Sequence, residues 1–354
     1  MASALIVAAL LALLAPAARG AYDPLSGGAT KLIFDKGFLS LLKQNDVKLS
    51  ATAGARLRAG TAVFPVTGGK LDQVNGRGAV EHEGSLVFQA GPRRIPLRAL
   101  LLKTTQRHAP FSIKLGGGQL KLAQAGEITA DRRGFGSEIR TRSLALSRKV
   151  ATRLGKKLRL RGVFEAGQPL GFSITVVNPL TVSLQGAGRA SLELAPAFAA
   201  KLQSLFVAVN PIFPAEHPGP FTLPIHGGAL ATDASTGRVA MQGALEFIQL
   251  GGGQVFWREP ELDFATRSLD AELEVDPSPP YGGKLGPVSV ADLSLWSASA
   301  NPRTHTISIT DGSLTLSAAV ASILNEVFAR PQDESGPFVA GEPVGSLSLT
   351  CQGE

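Results

Sequence analysis

Apolar and polar residues alternate along many short stretches of the chain, and glycine or proline separates these stretches. A period of two is typical of half-buried strands, and the interruptions are typical of tight turns. The apolar spacing of a helix occurs in four short stretches, Asp35–Lys43, Leu146–Leu158, Ala195–Phe206 and Leu316–Phe328. The pattern therefore predicts a mostly β protein with a few short helices.

One part of this pattern occurs twice. Phe64–Phe88 aligns with Leu223–Phe247 without a gap, at a constant offset of 159 residues. The positions of the first copy that are identical in the second are Pro65, Gly68, Gly69, Leu71, Gly78, Val80, Gly84, Leu86 and Phe88. Turn glycines and alternating apolar residues are what repeat, so we predict a duplicated strand–turn–strand unit.

The ends of the two halves repeat as well. Phe164–Gly171 and Phe338–Gly345 share the pattern Phe-x-Ala-Gly-x-Pro, and in each half a helical stretch precedes it and a strand follows it. Each half is therefore predicted to be a complete module, residues 28–177 and residues 178–354. The predicted fold class is mostly β, with two tandem β-sandwich-like modules that each carry two short helices.

Three further segments are interpreted from composition. Residues 1–20 combine an apolar run, Ala4–Leu14, with a small-x-small cleavage site, which predicts a signal peptide and a secreted or cell-surface protein. No second apolar run is long enough for a transmembrane span in the mature chain. Ala21–Ala29 is predicted to be an irregular lead, and Asn210–Pro220 a Pro-rich inserted loop without a counterpart in the first half.

Charge divides the two halves. Residues 22–171 hold 26 Lys and Arg against 10 Asp and Glu, whereas residues 172–354 hold 8 against 18. Either the first half meets an anionic cell-envelope surface, such as an acidic wall polymer or lipid headgroups, or the two halves attract each other. Nucleic acid is disfavoured as a partner because the basic residues are not interleaved with aromatic residues. The basic stretch Leu146–Leu158 is interpreted as a solvated helix face rather than a membrane-surface helix.

The order of several short motifs in the second half resembles the HtaA domain of secreted and surface haem-uptake proteins. These motifs are Gly243–Phe247, Gly251–Gly253, Pro260–Phe264, Leu269–Val275, Val290–Leu293, Leu314–Ala319 and the ending that starts at Phe338. The first half shows a thinner version of the same series. The resemblance implies a mostly β domain that holds haem through a Tyr on the first short helix and a nearby His.

Neither of those two ligands is found at its expected place. The helices read Phe38-Leu39-Ser40-Leu41-Leu42 and Phe198-Ala199-Ala200-Lys201-Leu202, with Leu where the resemblance implies Tyr. The turns that should carry the His, Gln89–Pro92 and Ile248–Gly251, contain none. The cofactor therefore stays unassigned, with haem or another porphyrin-like or apolar small molecule as the expected class.

Four residues are candidates for ligand contact: His82, Met241, His226 and Tyr281. His82 and Met241 occupy the same position in the two copies, and a His–Met pair suits haem, although a buried structural histidine is the preferred interpretation. His226 lies in a predicted turn and is expected to be exposed, and Tyr281 follows two prolines in a predicted loop. The remaining histidines, His108, His217 and His305, are interpreted as surface residues.

The sequence predicts a binding protein rather than an enzyme. It has no spacing typical of a metal site and no G-x-S-x-G motif, and Glu81 and Glu83 project from the strand face opposite His82. Two functions stay open. The first is a secreted or cell-envelope protein that binds an apolar or planar ligand; the alternative is a structural or adhesive surface module on anionic wall material.

Overall fold

The computed structural model describes residues 22–73, 75–105, 110–115, 118–217, 219–276, 283–329 and 336–353. The chain divides into two compact units, Met1–Leu180 and Thr181–Glu354, which are called the first and second modules below. The predicted signal peptide lies outside the described residues, as do Tyr281 and His108.

The described part of the first module consists of strands and two helices. Its strands are β1 (Asp23–Phe34), β2 (Val47–Thr52), β3 (Arg56–Arg58), β4 (Thr61–Leu71), β5 (Gly78–His82), β6 (Ser85–Ala90), β7 (Arg93–Lys103), β8 (Pro110–Leu115), β9 (Gly118–Gln124), β10 (Glu127–Arg133), β11 (Gly136–Leu146) and β12 (Pro169–Pro179). Its helices are α1 (Lys36–Gln44) and α2 (Arg148–Leu158).

The second module repeats this series. Its strands are β13 (Val182–Leu194), β14 (Val207–Ile212), β15 (Phe221–Leu230), β16 (Gly237–Met241), β17 (Ala244–Gln249), β18 (Gln254–Asp263), β19 (Ser268–Asp276), β20 (Gly283–Ser294), β21 (Ser297–Asn301), β22 (Thr306–Leu316) and β23 (Pro343–Gly353). Its helices are α3 (Pro196–Ser204) and α4 (Ala318–Phe328).

Each module is built on one antiparallel sheet that closes on itself. The strand order of the first is β2-β6-β7-β5-β4-β1-β12-β11-β9-β8, and a further pairing of β7 with β8 closes a ring of eight strands. The order of the second is β14-β17-β18-β16-β15-β13-β23-β22-β20-β19, and β18 pairs with β19 in the same way. The predicted mostly β fold of two modules, each with two short helices, is confirmed.

The apolar side chains of each alternating strand form the core. In the first module Leu32, Phe64 and Leu102 are almost fully buried. The apolar face of α2, with Val150 and Leu154, is also buried there, so only its basic face meets solvent. This is the solvated helix that the sequence predicts.

Two sequence predictions about irregular segments are wrong. β1 begins at Asp23, within the lead that is predicted to be irregular, because most of that glycine-containing segment pairs with β12 and part of it with β4. The predicted insertion at Asn210–Pro220 is not an insertion. Its first three residues belong to β14, and residues 213–220 match residues 53–60 in length and place.

The longest helices in the described part of the chain have 11 residues. None of the helices there has the length and apolarity needed to cross a lipid bilayer. The one cysteine, Cys351, is 1% exposed, as a small buried hydrophobe is expected to be.

Candidate functional site

His82 is held inside the first module by a short chain of hydrogen bonds. Its Nδ1 lies 3.0 Å from the Leu100 carbonyl oxygen, which can only accept, so Nδ1 carries the proton and donates. Its Nε2 lies 2.6 Å from the Thr30 hydroxyl, which therefore donates to it. The Thr30 oxygen lies 2.7 Å from the Thr175 hydroxyl. Burial lowers the pKa of His82 to about 4, against a smaller opposing effect of the Leu100 hydrogen bond. Both ring nitrogens are thus occupied by the protein itself.

The second module replaces this polar chain with apolar residues at the same register. Thr30 pairs with Phe64 and Thr175, and its counterpart Ala190 pairs with Leu223 and Leu349. Met241, the counterpart of His82, is 3% exposed. The three positions are therefore all polar in the first module and all apolar in the second. This exchange supports a structural role in the core for both His82 and Met241.

His226 lies on a strand and not in the predicted turn. It belongs to β15, where the pairing with β16 shifts between Ile225 and Gly227, and it is exposed as expected. Met241 pairs with Ile225, the neighbour of His226 in the chain, but its own side chain is buried. Met241 and His226 therefore do not line one site within the second module, and His82 lies in the core of the first.

A cleft opens instead between the first helix of each module and the strand that follows it. In the second module the cleft has a volume of about 780 Å³ and lies between α3, β14 and the end of β13. Leu202 and Phe221 form part of its buried apolar lining, and Glu193 and Gln203 add polar groups. A volume in this range suits a small organic ligand.

The rim of this cleft exposes large apolar side chains. Phe206 is 68% exposed and Leu250 is 87% exposed, and the Leu250 N–H donates to the Phe206 carbonyl at 3.2 Å. Phe206 has a φ of 57°, in the left-handed region that bulky residues seldom adopt. Strain of this kind is kept where the rest of the structure demands it, and such places are often functional.

The loop of residues 213–220 brings His217 to the cleft. The imidazole stacks on Phe221, with ring centroids 4.9 Å apart and planes 19° apart. The loop is fixed by a pair of backbone hydrogen bonds between Glu216 and Thr222, at 2.9 and 3.0 Å. Gly243, one of the repeated glycines, lies against this loop. A side chain there would not fit, because its Cβ would lie 2.8 Å from the Ala215 nitrogen. His217 is consequently held against an aromatic ring beside an apolar cleft.

The equivalent cleft of the first module is smaller and lacks these aromatics. It has a volume of about 420 Å³, and its lining includes Leu39, Leu42, Lys43, Asp46 and Lys48. Asp46 occupies the left-handed position that Phe206 holds in the second module, with a φ of 52°. The two modules share a scaffold, but their clefts have different chemistry.

Comparisons with known proteins give structural matches only. A scan of family models and a search of curated proteins each find no match. Among solved structures, the C-terminal domain of HtaA from Corynebacterium glutamicum matches at 14% identity and a TM-score of 0.36, over 48% of this chain and 98% of that domain. The N-terminal domain of HtaA from the same organism matches at 17% identity and a TM-score of 0.37, over 48% of this chain and 99% of that domain. The predicted resemblance to HtaA domains is confirmed.

The residues of the cleft differ from the Tyr–His pair that this resemblance implies. Leu42 and Leu202 lie on the first helix of each module, and both are 2% exposed. The cleft of the second module offers one imidazole, His217, and no phenol among its described residues. The Tyr–His haem ligation implied by the resemblance therefore does not fit the described residues of this cleft.

Sequence reasoning missed His217 and Phe206. His217 is exposed, as predicted for a residue in Pro-rich surroundings, and only the fold shows that it also lines the cleft. A signal for Phe206 was present. The position follows a short helix and aligns with Asp46, and an exchange of Asp for Phe after a helix end is unusual for a solvated turn.

Proposed function

We propose that the second module binds a flat, largely apolar small molecule in the cleft between α3, β14 and the loop of residues 213–220. The observation that carries the proposal is the strained and exposed Phe206 at the rim. An exposed aromatic in the left-handed conformation carries a conformational cost, and a ligand that covers the ring offsets that cost.

The geometry favours a planar ligand over a flexible chain. His217 and Phe221 are nearly parallel and present a flat surface beside the cleft. Aromatic rings bind best to other flat π systems in offset stacking. Glu193 and Gln203 leave room for one or two polar groups on the ligand. A porphyrin such as haem has this shape, and His217 is the residue that would contact it.

The proposed activity is binding without chemical conversion. Among the described residues no group of three or more His, Cys, Asp or Glu side chains could hold a metal ion. The cleft pairs its single histidine with an aromatic ring and not with a carboxylate. With its N-terminal apolar segment, the chain is proposed to act at the cell surface or outside the cell.

Titration of the purified chain with hemin and with metal-free protoporphyrin IX tests this function. Binding is followed by the visible absorption of the porphyrin and by the fluorescence of Trp257 and Trp296. Phe206→Asp, which installs the residue of the first module, is expected to weaken both ligands at least tenfold. His217→Ala is expected to weaken hemin and protoporphyrin to a similar degree, because a stacked imidazole contacts the macrocycle through its face, with or without iron.

Two variants serve as matched controls. His226→Ala removes an exposed histidine of the same module that does not line the cleft, and Asp46→Ala changes the equivalent position of the first module. Both should bind as the unaltered chain does. An unaltered chain that changes neither porphyrin spectrum at micromolar concentration would contradict the haem proposal, and a Phe206→Asp variant with full affinity would contradict the site.

A further inference from the structure

A second groove lies on the outer surface of the first module, across β2, β6 and β7. It has a volume of about 480 Å³, and its lining is Thr52, Ala53, Ser85, Val87, Arg94, Pro96 and Arg98. The two arginines are exposed, whereas Ser85 and Val87 are 5% and 1% exposed and form its floor.

The register of the sheet adds two lysines to this face. Arg98 pairs directly with Lys114 across β7 and β8, and Lys48 and Arg94 are both partners of Gln89. Residues directly opposite each other in a sheet project from the same face, and like charges there are destabilising. No ion pair among the described residues involves Lys48, Arg94, Arg98 or Lys114. The Glu83 carboxylate lies near the end of the groove, where a side chain at Gly54 would meet Glu83 at 3.1 Å, and Glu81 pairs with Leu101 farther along β7.

The second module carries the same positions with the charge neutralised. Arg258 is the counterpart of Arg98, and it pairs with Glu272 where Arg98 pairs with Lys114. Its Nε also donates to Glu274 at 2.6 Å, and its guanidinium covers the Phe256 ring at 4.6 Å. The counterpart of Arg94 is Gln254. The uncompensated charge is thus a property of the first module and not of the fold.

We propose that this groove binds a linear anionic polymer whose charged groups are phosphates or carboxylates. Arg94 and Arg98 are four residues apart on one strand, which separates their Cα atoms by roughly 13 Å. Side chains that extend directly outward from the sheet at that spacing meet successive charges of a polymer, whereas both must bend inward to share one small anion. Arginine forms paired hydrogen bonds with phosphate and carboxylate groups alike.

The shape and composition of the groove favour a polymer over a membrane. A membrane-binding surface presents aromatic or large aliphatic side chains beside its basic residues. None of the exposed large hydrophobic residues among those described lies on β2, β6, β7 or β8. The floor of the groove is recessed between two arginines, so a narrow polymer chain can enter it. A lipid surface is flat and cannot reach that floor. Single-stranded nucleic acid would also call for aromatic side chains on which its bases stack.

Fluorescence anisotropy with labelled linear polyphosphate and labelled polyglutamate tests the proposal on the full chain. The exposed double variant Arg94→Gln/Arg98→Gln is expected to lose at least tenfold in affinity for the polymer that binds. The slope of log affinity against log salt should fall by about two, one for each cation removed. The ratio of the two polymer affinities distinguishes phosphate from carboxylate groups. Inorganic phosphate alone should bind at least 100-fold more weakly than the polymer.

Two control variants make the result specific. Arg258→Gln removes the equivalent arginine of the second module, and Lys156→Gln/Lys157→Gln removes two cations from the exposed face of α2. Both should bind within twofold of the unaltered chain, and circular dichroism should show all variants folded. Equal losses in the α2 variant, no loss in the Arg94/Arg98 variant, or tighter binding to anionic phospholipid vesicles or single-stranded DNA than to either polymer would overturn the proposal. The porphyrin cleft lies in the other module, so a failure there leaves this outcome unaffected.

Discussion

At the scale of single residues, the two modules fill equivalent core positions with side chains of different polarity. His82, Thr30 and Thr175 satisfy one another in the first module, and Met241, Ala190 and Leu349 fill the equivalent space in the second. A buried polar group is tolerated only when its partners come with it. Replacement of one member alone should therefore cost more than replacement of all three.

The titration of His82 gives the first prediction. Its pKa is about 4 in the folded chain and near 6.5 when unfolded, so the unfolded state binds more protons between these values. The free energy of unfolding of the first module should therefore fall as pH drops from about 6.5 to about 4, by about 3 kcal/mol in total. Urea unfolding at several pH values measures it.

The contribution of His82 is isolated by a matched pair of variants. The triple variant Thr30→Ala/His82→Met/Thr175→Leu, which copies the second module, should lose this part of the pH dependence and stay folded. His226→Ala removes an exposed histidine and should keep it. If the triple variant retains the full dependence, another group is responsible.

Phe206 carries the second prediction. Phe206→Gly removes an exposed ring and relieves a left-handed backbone conformation that costs non-glycine residues about 1 kcal/mol. The second module should become more stable by roughly that amount and bind porphyrin more weakly. Thermal unfolding and the porphyrin titration, read together on one variant, check both changes. A loss of stability would show that the ring supports the fold rather than a ligand.

At the scale of helices and strands, α3, which forms one wall of the cleft in the second module, differs from the other helices at its N-terminus. Asp35, Ser147 and Ser317 cap α1, α2 and α4 by accepting a hydrogen bond from a backbone N–H. α3 begins after Ala195 with no side-chain cap. Its first turn therefore depends on Pro196 and on packing.

A cap at position 195 supplies the third prediction. Ala195→Asp copies Asp35, and the φ of −59° and ψ of 135° at Ala195 suit a capping residue. The second module should gain about 1 kcal/mol in free energy of unfolding. Ala195→Val, which cannot cap, is the control and should give no such gain. Denaturant unfolding measures both variants.

Gly243 supplies the fourth prediction, about the loop that carries His217. Gly243→Ala places a methyl group 2.8 Å from the Ala215 nitrogen, at a φ of 102° that alanine adopts poorly. The loop must move, so porphyrin binding should weaken together with stability. Gly251→Ala is a control with a positive φ and open space around it, and it should cost stability without moving the loop. Equal binding losses in both variants would argue against a role for the loop.

The sequence predicted elements best where pattern and caps agree. α1 forms at the predicted stretch Asp35–Lys43 and is capped by Asp35, the first residue of that stretch, and Phe38 and Leu42 are buried as their spacing requires. The N-terminal part of β1 is not predicted because glycines at 27 and 28 look like a linker, yet Gly28 pairs with Val177 inside the sheet. The glycine pair after His226 is ambiguous in the same way, since paired glycines mark a strand irregularity as well as a turn.

At the scale of the whole chain, the duplication can be predicted from the sequence, whereas the two helix–strand clefts cannot. Turn glycines and alternating apolar positions depend on backbone geometry alone, so they persist in both copies. The clefts are formed by residues from a helix, a strand and a loop that are distant in sequence. His217 and Leu250 both line the cleft of the second module, although more than thirty residues separate them. No local sequence pattern predicts that residues so far apart in the chain line the same cleft.

The strand pairing also joins the start of each module to its end. In the first module Leu25 pairs with Pro179, and in the second Leu184 pairs with Gly353. The polypeptide therefore enters and leaves each closed sheet at one point on its surface. A unit of this kind can be copied, removed or spliced between neighbours without stretching the chain on either side, which makes the architecture suited to growth by whole units.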